Sequence, residues 1–489
     1  MENKTILQAF HWEINADATH WQHISEIAHQ LQVMGFCALW LPPAYKGAAG
    51  IHDVGYGVYD LYDLGEFDQK GSIPTKYGSK EEYLKAIQTL HQEGLEVYAD
   101  IVFDHFMGAD EVEKVEAIRF LDTNRNQPIG EKEEILAWTR FTFPSRKNTY
   151  NDYQWWWNNF KGVNYDEKTK QKAIFGFEGK HWEQNVDDEN GNFDYLMGAD
   201  LDMDYPETVE QLNRWGAWFQ QLTQVDGYRL DAVKHIQFSF FIDWLKNRNE
   251  EANKEMFAVG EYWHGDLDKL VNYLDSCGGM MCLFDVPLHY NLQHASNSNG
   301  SFDMRYIFEN TLLKERHDWA VTFVDNHDTQ PGQSLESWVE DWFKLAAYAL
   351  ILLQDEGIPC VFYGDLYGIP SKKEAVQGLE SLVSVRKKFA YGPQMDYFDH
   401  PDVIGFTRFG DDEHKYSGLA VVVTNASGGI KRMSVGAQHA NEIFVDCTQN
   451  RKEQLIIEED GCANFSVNDG SVSVWIAQEA YQQLLSENE

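Results

Sequence analysis

Short apolar runs recur along roughly the first 390 residues, each followed by a turn and then a helix-period pattern. They read "TILQAF" (5–10), "FCALWLPP" (36–43), "LEVYADIVFDH" (95–105), "VDGYRLDAV" (225–233), "EMFAVGEYW" (255–263), "CLFDVPL" (282–288), "AVTFVDNHD" (320–328) and "IPCVFYGD" (358–365). Amphipathic stretches lie between them, one near His23 to Met34 and another in "SKEEYLKAIQTLHQEG" (79–94). Strands that alternate with helices imply a parallel sheet. About eight such strands predict an α/β fold, a (β/α)8 TIM barrel.

Two regions break the rhythm. From Asp104 to Pro206 the chain is rich in Trp, Asn, Asp and Gly, as in "YQWWWNNF" (153–160) and "DDENGNFDYLMGADLDMD" (187–204). That is too long for an ordinary loop, so a β-rich subdomain inserted after the third strand is expected. After about Pro401 the pattern changes to short alternating runs, "VIGFTRFG", "SGLAVVVTN", "RMSVG", "ANFSV" and "SVSVWIA". These predict a C-terminal antiparallel β-sandwich. The expected division is a barrel over 1–103 and 207–397, an insertion over 104–206 and a sandwich over 398–489. The closing "LLSENE" reads as a solvated end.

Composition narrows the function. With 489 residues, 43% of them hydrophobic and 14% aromatic, the chain has enough apolar matter for several cores. Against 78 acidic residues stand 40 basic ones, a formal charge of −38. Such a surface repels phosphate backbones and anionic lipids, so no nucleic-acid or membrane partner is expected. No run is long and apolar enough to span a bilayer. "MENKTILQAFHWEI" lacks the basic and apolar regions of a signal peptide. Six cysteines without CxxC spacing read as free thiols of a reducing compartment, so the expected localisation is cytoplasmic. HExxH, P-loop and GxGxxG signatures are absent.

In a barrel the chemistry gathers at the C-terminal ends of the strands. Four of the runs end on ionisable groups: Asp100, Asp104 and His105; Arg229 and Asp231; Glu261; and Asp325, His327 and Asp328. Any one of them is as well explained as a solvated strand end, but four on one barrel face converge on one cavity. Alternation along a strand puts Arg229 and Asp231 on one face, where the guanidinium favours an ionised carboxylate. Glu261 follows small and apolar residues and precedes two aromatics, surroundings that raise a carboxyl pKa. An ionised Asp beside a protonated Glu is the pair a retaining glycosidase uses, and Asp328 adds a third carboxylate able to stabilise positive charge. Trp12, Tyr56, Tyr59, Tyr262 and Trp263 are each ordinary core candidates, but as a group beside acidic strand ends they favour a neutral sugar. Asp194, Asp200, Asp202 and Asp204 offer hard oxygen ligands suited to Ca2+, or form a solvated acidic loop.

"DIVFDH" (100–105), "GYRLDAVKH" (227–235), "GEYW" (260–263) and "FVDNHD" (323–328) together are familiar. With "LPPAYKG", "DVGYGVYDLYDLGEFDQKGSIPTKYG" and "NFDYLMGADLD", the chain resembles the α-amylase family of glycoside hydrolases along nearly its whole length, nearest to bacterial liquefying and cytoplasmic members. The resemblance implies endo-acting, retaining cleavage of α-1,4-glucans such as starch, glycogen or maltodextrin. Asp231 would be the nucleophile, Glu261 the acid and base, and Asp328 the stabiliser. Arg229, His105, His327, Tyr56, Trp12, Lys234, His235 and Trp263 would bind or orient substrate, with Lys234 and His235 just past the strand where chain and solvent meet. One Ca2+ would lie between barrel and insertion, on Asp104, Asp194, Asp200 and the His235 carbonyl. Relatives usually carry Asn at position 104, and secreted ones place an Asp of a second metal cluster where this chain has Lys161. A single calcium is therefore expected. The α-glucan is the expected partner, and the protein is expected to be a monomer. A maltooligosaccharide-forming or transglycosylating relative uses the same carboxylates, and a non-catalytic glucan-binding relative would be expected to lose one.

Overall fold

The computed structural model describes residues 3–487. Eight parallel strands close a barrel: Ile6–Gln8, Ala38–Leu41, Glu96–Ile101, Gly227–Leu230, Phe257–Gly260, Cys282–Phe284, Ala320–Phe323 and Ile358–Phe362. Each pairs with its neighbours in chain order, and the last closes on the first through Ile6–Cys360, Leu7–Val361 and Gln8–Phe362. Each of the eight apolar runs supplies one of these strands. They were legible because a strand buried on both faces reads as a nearly continuous apolar run. Inward-facing Ile6, Ala38, Trp40, Tyr98, Val259, Phe284, Val321 and Phe323 fill the barrel. A larger apolar cluster, including Leu7, Leu39, Val97 and Leu230, packs the outer faces against the helices.

The first predicted helix spans His20–Met34 and the second Lys80–Gln92. The second begins with a capping box: the Ser79 hydroxyl accepts from the Glu82 amide, and the Glu82 carboxylate accepts from the Ser79 amide at 2.8 Å. This satisfies two amides that the first helical turn leaves without partners.

Residues 105–201 form a six-stranded antiparallel sheet in the order His105–Phe106, Ala199–Leu201, Phe160–Asp166, Gln171–Phe177, Glu111–Leu121 and Asn124–Arg140. Its outer part is a long hairpin whose tip is mainly polar and stands largely in solvent. Its inner edge starts at His105, directly after the third barrel strand, so the sheet is rooted on a candidate site residue.

The C-terminal region is a six-stranded antiparallel sheet faced by a two-stranded antiparallel sheet of Gly429–Ser434 and Cys462–Val467. Phe465 of the smaller sheet meets Trp475 and Phe444 of the larger one edge-on. That sheet takes in Gln394–Tyr397, ahead of the expected boundary at 398. The chain end departs from expectation too. Gln478–Glu487 is a helix with Ala480 and Leu484 buried, so "LLSE" belongs to a packed element; the final Asn488 and Glu489 lie outside the described residues. An acidic composition hid an apolar stripe at helical spacing. All six cysteines are free thiols. Among the described residues no helix is long and apolar enough to cross a membrane.

Candidate active site

The fourth strand, Gly227–Leu230, lies between Glu96–Ile101 and Phe257–Gly260, in a register that sets Arg229 beside Asp100 and Val259. Arg229 is fully buried. Its Nη1 donates to Asp231 Oδ1 at 2.6 Å and to Asp100 Oδ1 at 2.9 Å, and its Nη2 lies 2.9 Å from Glu261 Oε2. One guanidinium thus serves three carboxylates on three adjacent strands. The charge of Arg229, expected to orient and ionise Asp231, is engaged by these carboxylates beneath the cleft floor.

Asp100 was counted at a strand end and given no role. Its Oδ2 accepts from Trp40 Nε1 at 2.9 Å and from Tyr56 hydroxyl at 2.8 Å, so it ties the cationic floor to the aromatic wall. Burial pushes its carboxyl up to about 6 against the opposing pull of Arg229. Only the pairing of distant strands reveals this role; "DIVFDH" alone shows a carboxylate at a strand end.

The chain turns sharply after Asp231. Ala232 adopts a left-handed conformation, φ 51° and ψ 37°, which costs an L-residue about 1–2 kcal/mol. In return its amide donates to Glu261 Oε2 at 3.3 Å, and the Val233 amide donates to the Glu261 carbonyl at 3.1 Å. Backbone strain of this kind persists where surrounding contacts enforce it, commonly at functional sites. Burial, countered by Arg229 and reinforced by the Asp231 charge, moves the Glu261 carboxyl up to about 7. That is the direction its apolar and aromatic sequence neighbours predicted. Asp328 is held well above the usual carboxylate range by burial and by Glu261. His327 sits behind it, with Nε2 3.3 Å from Asp328 Oδ2 and Nδ1 on Gln8 Nε2 at 2.9 Å. Burial and the Arg229 charge keep its imidazole neutral.

Asp231, Glu261 and Asp328 line one cleft of about 850 Å³, together with Trp12, Tyr56, His105, Lys234, His235 and Trp263. Tyr56, Trp12 and His327 present nearly parallel rings: Trp12 and Tyr56 lie 2° apart in plane, Tyr56 and His327 11°. Trp12 is fixed by Gln330, whose Oε1 accepts from its amide. Met107, Phe193, Met197 and Tyr290 also line the cleft and were not singled out in the sequence; the first three sit in loops with no periodicity, and Tyr290 belongs to the helix Val286–Asn297, whose sequence does not show that it faces the cleft.

Lys234 and His235 do not meet solvent as expected. Both are buried, because the insertion folds over the strand end and engages them. Lys234 Nζ donates to Glu189 at 2.9 Å and to the Trp263 carbonyl at 3.0 Å, while the His235 ring bonds the Phe193 carbonyl at 2.7 Å. Burial keeps His235 neutral, with its pKa lowered to about 3. Asp187 completes the tie: it accepts from Tyr262 hydroxyl at 2.6 Å and from Lys269, and its amide donates to the Lys234 carbonyl.

Behind His105 lies the acidic cluster. Asp104 Oδ1 and Asp200 Oδ2 are buried without hydrogen-bond partners, and Asp104 Oδ2 pairs with His105 Nδ1 at 2.9 Å. Burial holds Asp194 and Asp200 well above the usual carboxylate range, reinforced at Asp194 by the Glu183 charge and at Asp200 by the charges of Asp194 and Asp104. Lys161 is buried in the same cluster, with Nζ 2.8 Å from Glu183 and 3.2 Å from Asp194. Despite burial, these carboxylates raise the pKa of its ammonium. Among the described residues no three His, Cys, Asp or Glu side chains form a ready metal centre. The two orphaned carboxylate oxygens are nevertheless hard donors of the kind Ca2+ takes, often completed by backbone carbonyls.

Residues 10–398 match the family described as "Alpha amylase, catalytic domain", and 419–476 match "Alpha-amylase C-terminal". The chain is 53% identical over 478 residues to an α-amylase of Geobacillus stearothermophilus, covering 97% of this chain and 87% of that one. It is 43% identical over 495 residues to the cytoplasmic α-amylase of Escherichia coli, covering 98% and 100%. A solved α-amylase of Geobacillus thermoleovorans, complexed with acarbose, shares the fold with a TM-score of 0.63 at 16% identity over 98% of each chain. The barrel with its carboxylate-lined cleft is that of a glycoside hydrolase. The chain belongs to the α-amylase family.

Proposed function

We propose that the protein is an endo-acting α-1,4-glucan hydrolase that retains anomeric configuration and works in the cytoplasm as a monomer. The observation that carries this reading is the Arg229 fork, with Asp231 on one terminal nitrogen and Glu261 on the other. Two carboxyls on one guanidinium stand close together, which favours the short spacing of a retaining pair, about 5–5.5 Å, over the 6.5–9.5 Å of an inverting one.

In the first step Glu261 gives its proton to the glycosidic oxygen, the leaving chain departs as an alcohol, and Asp231 forms an ester with the anomeric carbon. In the second, water attacks that carbon, Glu261 takes the water's proton, and Asp231 leaves as a carboxylate. Asp328 opposes the positive charge that develops on the ring. Arg229 holds Asp231 in place, Tyr56 and Trp12 offer faces for a sugar, and His105 and His327 border its hydroxyls. Trp263 lines the far side, where the Lys234 and His235 ties hold the insertion closed. The cytoplasmic assignment is supported by the free thiols and by the named cytoplasmic relative.

Asp104, Asp194, Asp200 and the His235 carbonyl would hold one Ca2+. When bound there it would serve structure, neutralising the buried carboxylates of Asp104, Asp194 and Asp200 between barrel and insertion. Lys161 already supplies a positive charge to the rest of the cluster, so no second metal is included in the reading.

The test is release of reducing ends from soluble starch by Asp231→Asn and Glu261→Gln, with products resolved by chromatography. Near-complete loss in both, with mixed maltooligosaccharides from the parent, is expected. Full turnover by Asp231→Asn would overturn the reading, and a single product length from the parent would replace endo-cleavage with a maltooligosaccharide-forming activity.

A further inference from the structure

The turn that carries His327 and Asp328 is built on a buried charge that takes no part in the chemistry. Asp325, at the end of the strand Ala320–Phe323, is fully buried. Its Oδ1 accepts from Thr329 hydroxyl at 2.6 Å, and its Oδ2 accepts from the Val339 amide at 3.2 Å and lies 2.8 Å from Lys344 Nζ. Lys344 belongs to the helix Asp341–Leu352 and has no exposed surface. Its ammonium lies over the Trp338 ring and also bonds Asp365, in the short helix after the last barrel strand. Asp365 accepts in addition from Tyr348 hydroxyl at 2.7 Å. Between the two ends of the turn, Asn326 Oδ1 accepts from the amides of Asp328 and Thr329, both at 2.9 Å, and Thr329 hydroxyl accepts from the Asn326 amide at 3.0 Å.

We propose that Lys344 is a positioning residue for the hydrolysis: by bridging Asp325 and Asp365 across the last two barrel strands, it fixes the turn 325–329 and so aims His327 and Asp328 into the cleft. A buried ammonium shared by two carboxylates has little freedom, because any displacement leaves a charge uncompensated in a medium of low dielectric. The hydrogen bonds inside the turn carry that rigidity from Asp325 to the Asp328 backbone amide. Lys344 touches neither sugar nor reacting atoms, and its effect is on where Asp328 stands.

The proposal rests on the reading of Asp328 as part of the catalytic site, so Asp328→Asn is measured alongside. The variants are Lys344→Met, Lys344→Arg and Thr329→Val, assayed on a nitrophenyl maltooligosaccharide far below the unfolding temperature of each. Folded Lys344→Met is expected to lose at least tenfold in kcat with KM within threefold of the parent, and Lys344→Arg to recover part of the loss. If Lys344→Met does not fold, Thr329→Val, which cuts the same chain at Asp325 while leaving the ion pairs intact, is expected to lose at least fivefold in kcat. A purely structural lysine would lower the unfolding temperature while leaving kcat of the folded protein unchanged, and that result in Lys344→Met overturns the proposal. In its place, an unchanged kcat in Thr329→Val does so. An active Asp328→Asn variant would instead defeat the reading of the site, whatever Lys344 does.

Discussion

Arg229 donates to Asp231 at 2.6 Å from a position with no exposed surface. The same side chain faces Asp100 and Glu261. Lysine cannot reproduce this, since a point charge on a flexible stem has no planar fork. Arg229→Lys is expected to lower kcat by about 10²–10³, the usual size of a lost preorganised contact to a charged reacting group. Arg229→Met leaves three buried carboxylates without their cation and should cost about 3–5 kcal/mol in stability. Steady-state kinetics and denaturant titration check the two; wild-type turnover in Arg229→Lys would mean the fork is incidental.

Glu261 must be protonated to act as the acid, and its carboxyl sits at about 7. The alkaline limb of kcat/KM should therefore fall near pH 7. The shift also bears on stability. The folded value lies above the usual 4.5, so folding takes up protons. The contribution is complete below pH 4.5 and is lost as pH rises through about 7. Denaturant titration at pH 5 and pH 8 should show a smaller stability difference in Glu261→Gln than in the parent. On a substrate with an acidic phenol leaving group, which needs no proton, Glu261→Gln should lose far less first-step rate than on starch, where a factor of about 10²–10⁴ is expected. Equal losses on both substrates would remove Glu261 from the acid role.

The eight barrel strands were legible because each is a closed apolar run, and the shared face of Arg229 and Asp231 followed from the two-residue period of a strand. The raised Glu261 followed from its immediate neighbours. Asp100 was not legible as the anchor of Trp40, Tyr56 and Arg229, since its partners come from three other strand regions and only barrel register unites them. Burial of Lys234 and His235 depends on how residues 183–193 fold back, and nothing in "AVKHI" encodes that. The C-terminal helix was hidden by its charged end, although Ala480 and Leu484 already stood at helical spacing.

Lys161 occupies the interior of the acidic cluster, 2.8 Å from Glu183 and 3.2 Å from Asp194. Metal analysis of the calcium-equilibrated protein should give no more than one calcium per chain, and a second tightly held ion would contradict the place given to Lys161. Chelation should lower the unfolding temperature. Lys161→Met leaves Glu183 and Asp194 uncompensated and should cost about 3–5 kcal/mol, read by denaturant titration in excess chelator so that calcium does not mask it.

The central claim is that Asp231 forms a covalent bond to the sugar, with Glu261 serving both steps. Two displacements at one carbon return the original configuration, whereas one displacement inverts it. Proton NMR of the reducing end released in the first minutes of maltooligosaccharide hydrolysis, before mutarotation, reads this directly. The account predicts the α-anomer first. A β-anomer would show a single displacement by water and contradict the roles given to Asp231 and Glu261.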